Sequence, residues 1–270
     1  MSKWVDAIGK EHAPVHPSSA VRIVSLVPSI TELLCDVGLA DRVVGRTGFC
    51  IHPQSSVSVI PKVGGTKDVN LEKIRRLAPT HLIVNIDENE KPTVEALADV
   101  VPHIIVTHPM GPLDNLELYR LLGGIFRKER EAEVLCERFT QEYDALIRYK
   151  SSSPQSLQST HRVLYCIWKD PWMTVSRDTY IARMLELIGW QQWLADSKAR
   201  YPEFEWDAKM LTVVDEILLS SEPYSFTETH VDALERQTGK PVRLVDGEML
   251  SWYGSRAILG LRYLRELVQQ

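Results

Sequence analysis

The apolar positions open a βαβ pattern in VRIVSLVPSITELLCDVGLADRVVGRT. Residues 21–26 predict a buried strand, a Pro turn follows, and helical spacing up to Gly38 predicts a helix leading to a second strand. Ser29 stands at the N-cap position, with Glu32 at capping-box distance. VNLEKIRRLAPTHLIVN predicts a short helix capped by Asn70 and ended before Pro79, then an apolar strand over residues 81–84. KPTVEALADV and HIIVTH repeat helix then strand, so four strands form a small parallel sheet.

The pattern changes at LDNLELYRLLGGIFRKEREAEVLCERFTQEYDALIRY, where helical periodicity runs for about 35 residues, longer than an ordinary globular helix. Gly123-Gly124 is its one interruption. SSSPQSLQST then reads as a surface loop. RVLYCIW, DEILLS and VRLVD predict strands, and DTYIARMLELIGW, HVDALERQ and SRAILGLRYLRELV predict helices. The expected fold is α/β: two lobes with small parallel sheets (residues 1–112 and 151–270), joined by a long backbone helix (residues 113–150).

Composition narrows the classes. With 270 residues, 44% hydrophobic and 25% charged, the chain is globular. A net charge of −5 and the lack of a long Lys/Arg run exclude a nucleic-acid partner. No stretch offers the roughly 20 apolar residues of a membrane span. The first residues, MSKWVDAIGKEHAPVHP, lack the apolar core of an export signal, and Cys35, Cys136 and Cys166 sit in apolar contexts typical of reduced core thiols. Together these predict a cytoplasmic protein, or a periplasmic one if a leader precedes this sequence.

Polar and aromatic residues gather where strands end. NIDENEKP puts Asn85, Asp87, Glu88 and Asn89 after the third strand, and a solvated turn is the plainer reading. YCIWKDPWMTVSRDTYI puts Trp168, Trp172 and Met173 after a core strand, either as a ligand-facing surface or as a plug in the lobe's core. GEMLSWYGSR offers Trp252 and Tyr253, in core or site, with Gly254 for close approach and Arg256 for an anionic or amide-bearing ligand.

VSLVPSITELL, VVGRTGFCIHP, VGGTKDVNLEKIRRLAPTHLIV and YPEFEWDAKMLTVVDEILLSSEP resemble the helical-backbone metal receptor group, the class III binding proteins of metal-chelate ABC importers, and most of all its cobalamin-binding branch. The resemblance implies a cleft between two lobes that hinge only slightly, holding a flat metal chelate without altering it. It implies a corrinoid such as cobalamin, with haem or a ferric siderophore as alternatives, no intrinsic cofactor, and a monomer. By that likeness Trp172 and Phe49 face the ligand, and Pro28 with Ser29 begins the first helix, whose N–H groups point toward it. Thr66 falls where the cobalamin proteins carry Trp. Glu72 and Asp207 match the acids that dock a permease, although in the first turn of a helix each also complements the dipole.

Other chemistries find less support. His52 and His108, with Cys50 nearby, could supply metal ligands or an axial ligand to a chelated metal, but no C-x-x-C or H-x-x-x-H pair fixes a site. His81, before a buried strand, reads as structural. The chain has no G-x-S-x-G, P-loop or G-x-G-x-x-G motif. A ligand-modifying enzyme using Asp87 or Glu88 as base, and a cytoplasmic interaction protein, remain as alternatives from other classes.

Overall fold

A computed structural model describes residues 4–152, 160–194 and 198–269; the central part of the expected Ser/Gln-rich surface loop lies outside them. The chain divides into two compact units, Met1–Pro109, Leu113–Arg138 and Tyr253–Arg256 forming the first, and Met110–Pro112, Phe139–Trp252 and Ala257–Gln270 the second.

The first unit begins with a short hairpin, β1 (Trp4–Val5) and β2 (Glu11–His12), that the apolar pattern did not predict. Next come β3 (Ile23–Ser25), α1 (Pro28–Asp36), β4 (Val43–Arg46), α2 (Gln54–Val57), α3 (Leu71–Leu77), β5 (His81–Asn85), α4 (Lys91–Glu95), β6 (His103–Thr107) and α5 (Asp114–Phe126). Four strands pair in parallel in the order β4-β3-β5-β6. β5 is buried along its whole length, as strands covered on both faces must be. Asn70 caps α3 as expected, accepting from the Lys73 amide at 2.9 Å.

The hairpin covers the outer edge of β6. Ala7 donates its amide to the Val106 carbonyl, and the Asp6 carboxylate takes the Val106 amide at 3.1 Å, so both backbone groups of Val106 are paired at that edge. Asp6 and His12 form a buried pair at 3.0 Å. His81 stacks on His103 and meets Phe126 edge-on.

The expected single helix over residues 113–150 is two helices, α5 and α6 (Glu129–Ser152), and the break is not at the glycine pair. Arg127 ends α5 in the left-handed region at φ 57°. Gly123 and Gly124 stay helical because neighbours pack against their bare backbone: a Cβ on Gly124 would lie 1.9 Å from the Trp4 ring, and one on Gly123 2.5 Å from the Ala132 methyl. The boundary between the units falls within α6.

The second unit holds the rest of α6, then β7 (His161–Trp168), β8 (Met173–Thr174), α7 (Tyr180–Glu186), β9 (Trp190–Gln192), α8 (Ala208–Val213), β10 (Glu216–Ser220), α9 (Glu228–Thr238), β11 (Val242–Val245), α10 (Gly247–Ser251) and α11 (Ala257–Leu267). Its main path is β11-β10-β7-β8. β9 pairs in parallel with the start of β7 and β8 antiparallel with its end, so the two share one edge. Gln192, fully buried, ties that edge together: its Oε1 accepts from the Tyr165 amide, and its Nε2 donates to Thr174 Oγ1 and the Val175 carbonyl. Cys50, Cys136 and Cys166 are buried and Cys35 is half-buried, and all four are free.

His81 sets a pH dependence. Burial first, then the neighbouring His103 and His12, lower its pKa from 6.5 to about 4. The unfolded chain therefore binds more protons than the folded one between those values, and stability falls as pH drops through that window, by up to about 3 kcal/mol. Urea midpoints should fall more steeply with acid for the parent than for His81→Phe. Parallel curves would remove His81 as the cause.

Candidate functional site

In open α/β sheets, ligands bind beyond the carboxyl ends of the strands, where strand order reverses. In the first unit the chain goes from β3 to one neighbour, β4, and then returns to β5 on the other side, so the reversal lies between β3 and β5. The loops after β3, β4 and β5 carry most of the residues expected to bind.

Pro28 and Ser29 lie in the first turn of α1 and are buried. Ser29 is not the N-cap. Val27 takes that position with no side-chain bond, Pro28 follows where its missing N–H costs nothing, and the carboxylate of Glu32 is drawn away to Arg256. Phe49 is 61% exposed beside Gly65, where a Cβ would come within 3.4 Å of its ring. Ile51 and Ile86 are also exposed, giving these loops an apolar surface. Gly64 is required: at φ 118° it sits so close to the Asp68 carbonyl that a Cβ would lie 2.3 Å from it.

The turn after β5 is held by its own amides. Asn85 Oδ1 accepts from the Asp87 amide, and Asn89 Oδ1 accepts from the Asn85 amide. Asn89 Nδ2 donates to the Leu26 carbonyl at 3.2 Å and to the Thr66 carbonyl at 2.9 Å. Asp87 and Glu88 are half-buried, and His108 Nε2 approaches Asp87 at 3.5 Å.

The segment Tyr253–Arg256 returns late in the chain to pack on α1. Gly254, at φ 79°, gives its amide to Asn115 at 2.7 Å and receives Tyr119 Oη on its carbonyl at 2.8 Å. Tyr253 donates its hydroxyl to Glu88. The expectation that Arg256 would meet an anionic ligand is corrected: it is 8% exposed, and its Nε and Nη2 bind both oxygens of Glu32 at 2.8 and 2.7 Å. Burial raises the Glu32 pKa, while the guanidinium opposes the rise.

In the second unit the reversal lies between β7 and β10. Trp172 is half-buried in an aromatic cluster, stacked on Phe226 (5.8 Å, 8°) and edge-on to Trp206 (5.2 Å). Phe204 and Tyr224 complete it, and Trp168, 39% exposed, meets Tyr224 edge-on. Met173, half-buried in β8, bridges to Glu203, so residues 202–204 line that edge. The reading of Trp172 as packing in the lobe's core is met by its contact with the core cluster, and its ring keeps partial exposure. Phe204, Trp206, Tyr224 and Phe226 were missed, although the i, i+2 aromatics in FEW and YSF put each pair on one side of an extended segment. Trp252 is buried and donates Nε1 to Glu222 at 2.7 Å; Ser251 adds a second bond. Burial raises the Glu222 pKa, and these two donors pull it back.

Among the described residues no group of three or more His, Cys, Asp or Glu could hold a metal ion. Cys50 is fully buried between the hydroxyls of Thr31 and Thr47, and burial raises its thiol pKa, so it is no partner for His52 in a surface metal site. Glu72 is exposed in the first turn of α3, paired with Arg75 at 2.6 Å. Asp207 is exposed too, but as N-cap of α8, accepting from the Met210 amide, where the pattern had put it in the first turn. No described helix is long and apolar enough to cross a membrane.

A family profile described as periplasmic binding protein matches residues 23–236. The vitamin B12-binding protein of Yersinia pestis (strain Pestoides F) is 25% identical over 221 residues, covering 79% of this chain and 72% of the relative. The crystal structure of the periplasmic vitamin B12-binding protein of Vibrio cholerae superposes with a TM-score of 0.75 at 19% identity, over 92% of this chain and 98% of that one. The periplasmic haem-binding protein of Roseiflexus sp. RS-1 in its apo form gives 0.75 at 21% identity, over 93% and 97%. These matches overturn the expectation of a cytoplasmic protein, because the family and both matched structures are described as periplasmic. That expectation rested on the first residues and on unpaired cysteines, and neither reports the compartment of a folded domain.

The Glu32–Arg256 pair anchors the returning segment. Glu32→Ala removes the bidentate carboxylate partner of a buried guanidinium and should cost about 3–5 kcal/mol. Glu72→Ala, which breaks an exposed pair, should cost no more than about 1 kcal/mol. Equal denaturation midpoints for the two variants would show that the Glu32 pair holds nothing.

Proposed function

Because the chain belongs to the periplasmic binding protein family, we propose that it is the non-catalytic binding component of an ABC importer and that its cargo is a corrinoid. The B12-binding relatives support this reading. The observation that carries it is the sign of the polar groups at the strand ends. The first unit carries carboxylates there, Asp87 beside His108 and Glu88 accepting from Tyr253, while Arg256, a buried cation of these loops, is engaged by Glu32. The second unit also offers a carboxylate, Glu222, flanked by Glu248 and Asp246. A chelate with peripheral carboxamides brings donors to these acceptors. Haem propionates or siderophore carboxylates would bring like charge to a desolvated site.

Phe49, Ile51 and Ile86 provide apolar surface for the macrocycle in the first unit, and the Trp172 cluster provides it in the second. By the resemblance Thr66 takes a position that is aromatic in the cobalamin-binding branch, which leaves Phe49 as the exposed aromatic ring of the first unit's loops. Haem is the second reading, favoured by the haem-binding proteins of the same fold and by His108, whose imidazole lies beside Asp87 in the manner of an oriented metal ligand. The protein acts as a monomer without a resident cofactor, and Glu72 and Asp207 dock the permease.

Titration of purified protein with cyanocobalamin, dicyanocobinamide, haemin and a ferric siderophore, followed by tryptophan emission, should give saturable one-to-one binding of a corrinoid, returned unaltered. Phe49→Ala should weaken it about tenfold, since a stacked aromatic contributes about 0.5–1.5 kcal/mol beyond its buried area. Binding of haemin alone, with a Soret band that shifts in His108→Ala, would replace the corrinoid reading with the haem one. A corrinoid chemically changed on incubation would sink the non-catalytic assignment.

Transport tests the partner. Glu72→Arg and Asp207→Arg should each abolish uptake in cells while leaving affinity for the chelate within about twofold of the parent, because exposed charges contribute little within the chain. Undiminished uptake in both variants would remove these acids as docking residues.

A further inference from the structure

Asn89 is 8% exposed and makes its contacts at the reversal point of the first sheet. Its Oδ1 accepts from the Asn85 amide at the end of β5; its Nδ2 donates to the Leu26 carbonyl just after β3 and to the Thr66 carbonyl beyond Gly64-Gly65. One side chain thus joins the loops that carry Pro28 and Ser29, Thr66, and Asp87 and Glu88. The chemistry demands an amide: one end must accept from an N–H and the other must donate to two carbonyls, which neither a carboxylate nor an apolar side chain can do.

We propose that Asn89 is the positioning residue for the ligand-facing loops of the first unit, an assignment that rests on the binding function proposed above. It acts through the loops it joins. It fixes the distance between the loop ends, so that Phe49 beside Gly65, and Glu88 beside Tyr253, are held in place before the ligand arrives.

The test compares Asn89→Asp and Asn89→Leu with the parent, using cyanocobalamin and haemin as probes and hydrogen exchange as a measure independent of ligand. At about pH 8 the Asp carboxylate faces two carbonyl oxygens, and affinity should fall at least about tenfold. At about pH 5 its protonated form can donate to one of them, so the ratio of variant to parent affinity should recover by about threefold or more, whereas Asn89→Leu stays weak at both values. In Asn89→Leu, the amides of Asn85 and Gly65 should exchange at least about tenfold faster while Ile74 in α3 keeps its protection. Faster exchange with parent affinity in both variants would reduce Asn89 to a structural contact and overturn the proposal. If the parent binds neither probe, the binding function fails at that point, and the exchange data alone decide: unchanged rates at Asn85 and Gly65 overturn the role of Asn89.

Discussion

Parallel strands all finish at the same edge of a sheet, and there the backbone runs out of ladder partners. Every N–H and C=O that is buried beyond that point needs a partner from a side chain or another loop. In the first unit Ser25 and Thr31 both donate to the Val27 carbonyl, Thr107 donates to the Val84 carbonyl, and Asn89 serves Asn85, Leu26 and Thr66. The strand-end loops can carry a binding surface because these small polar side chains already satisfy the backbone beneath them. Without them, loops rich in Gly and Pro would be free to collapse or fray.

The two units meet the same constraint with different chemistry. The first relies on hydroxyls and amides, and among its described residues the exposed aromatic ring is Phe49. The second pairs Tyr165 with Ser220 and Thr174 with the Tyr165 carbonyl, then covers the loops with Trp172, Phe204, Trp206, Tyr224 and Phe226. Interlocked rings give a stiff surface at little entropic cost, since each has only two side-chain torsions to fix. Charge follows a similar division. Acids left half-buried at the strand ends, Glu88 and Glu222, each take a hydrogen bond from an aromatic donor, Tyr253 and Trp252, while the buried Arg256 is neutralised within its own unit by Glu32.

Much of the architecture was legible because periodicity reports burial. The apolar runs at HLIVN, HIIVT, EILLS and VRLV are strands within a residue or two of expectation, and Asn70 caps its helix as an Asx residue before a helical pattern should. The helix pattern after Leu113 was legible, but its division was not: a Gly pair reads as a break, yet here it marks where Trp4 and Ala132 press on the backbone. The β1–β2 hairpin and the strands β8 and β9 were also missed, since two or three residues carry too little pattern to register.

For the site the line falls between residue type and residue partner. The chain by itself determined that aromatics and carboxylates would cluster after strands, because strand ends are set by local pattern and topology places them at one edge. It could not decide that Arg256 would be consumed by Glu32, 224 positions earlier, or that Ser29 would be buried beneath the first turn and not cap it. Nor could it show that Asn89 would reach Leu26 and Thr66. Those outcomes depend on which side chains arrive within hydrogen-bond reach at long sequence separation. A charge or an amide is committed by whichever partner the packed tertiary structure brings to it, and no local period encodes that meeting.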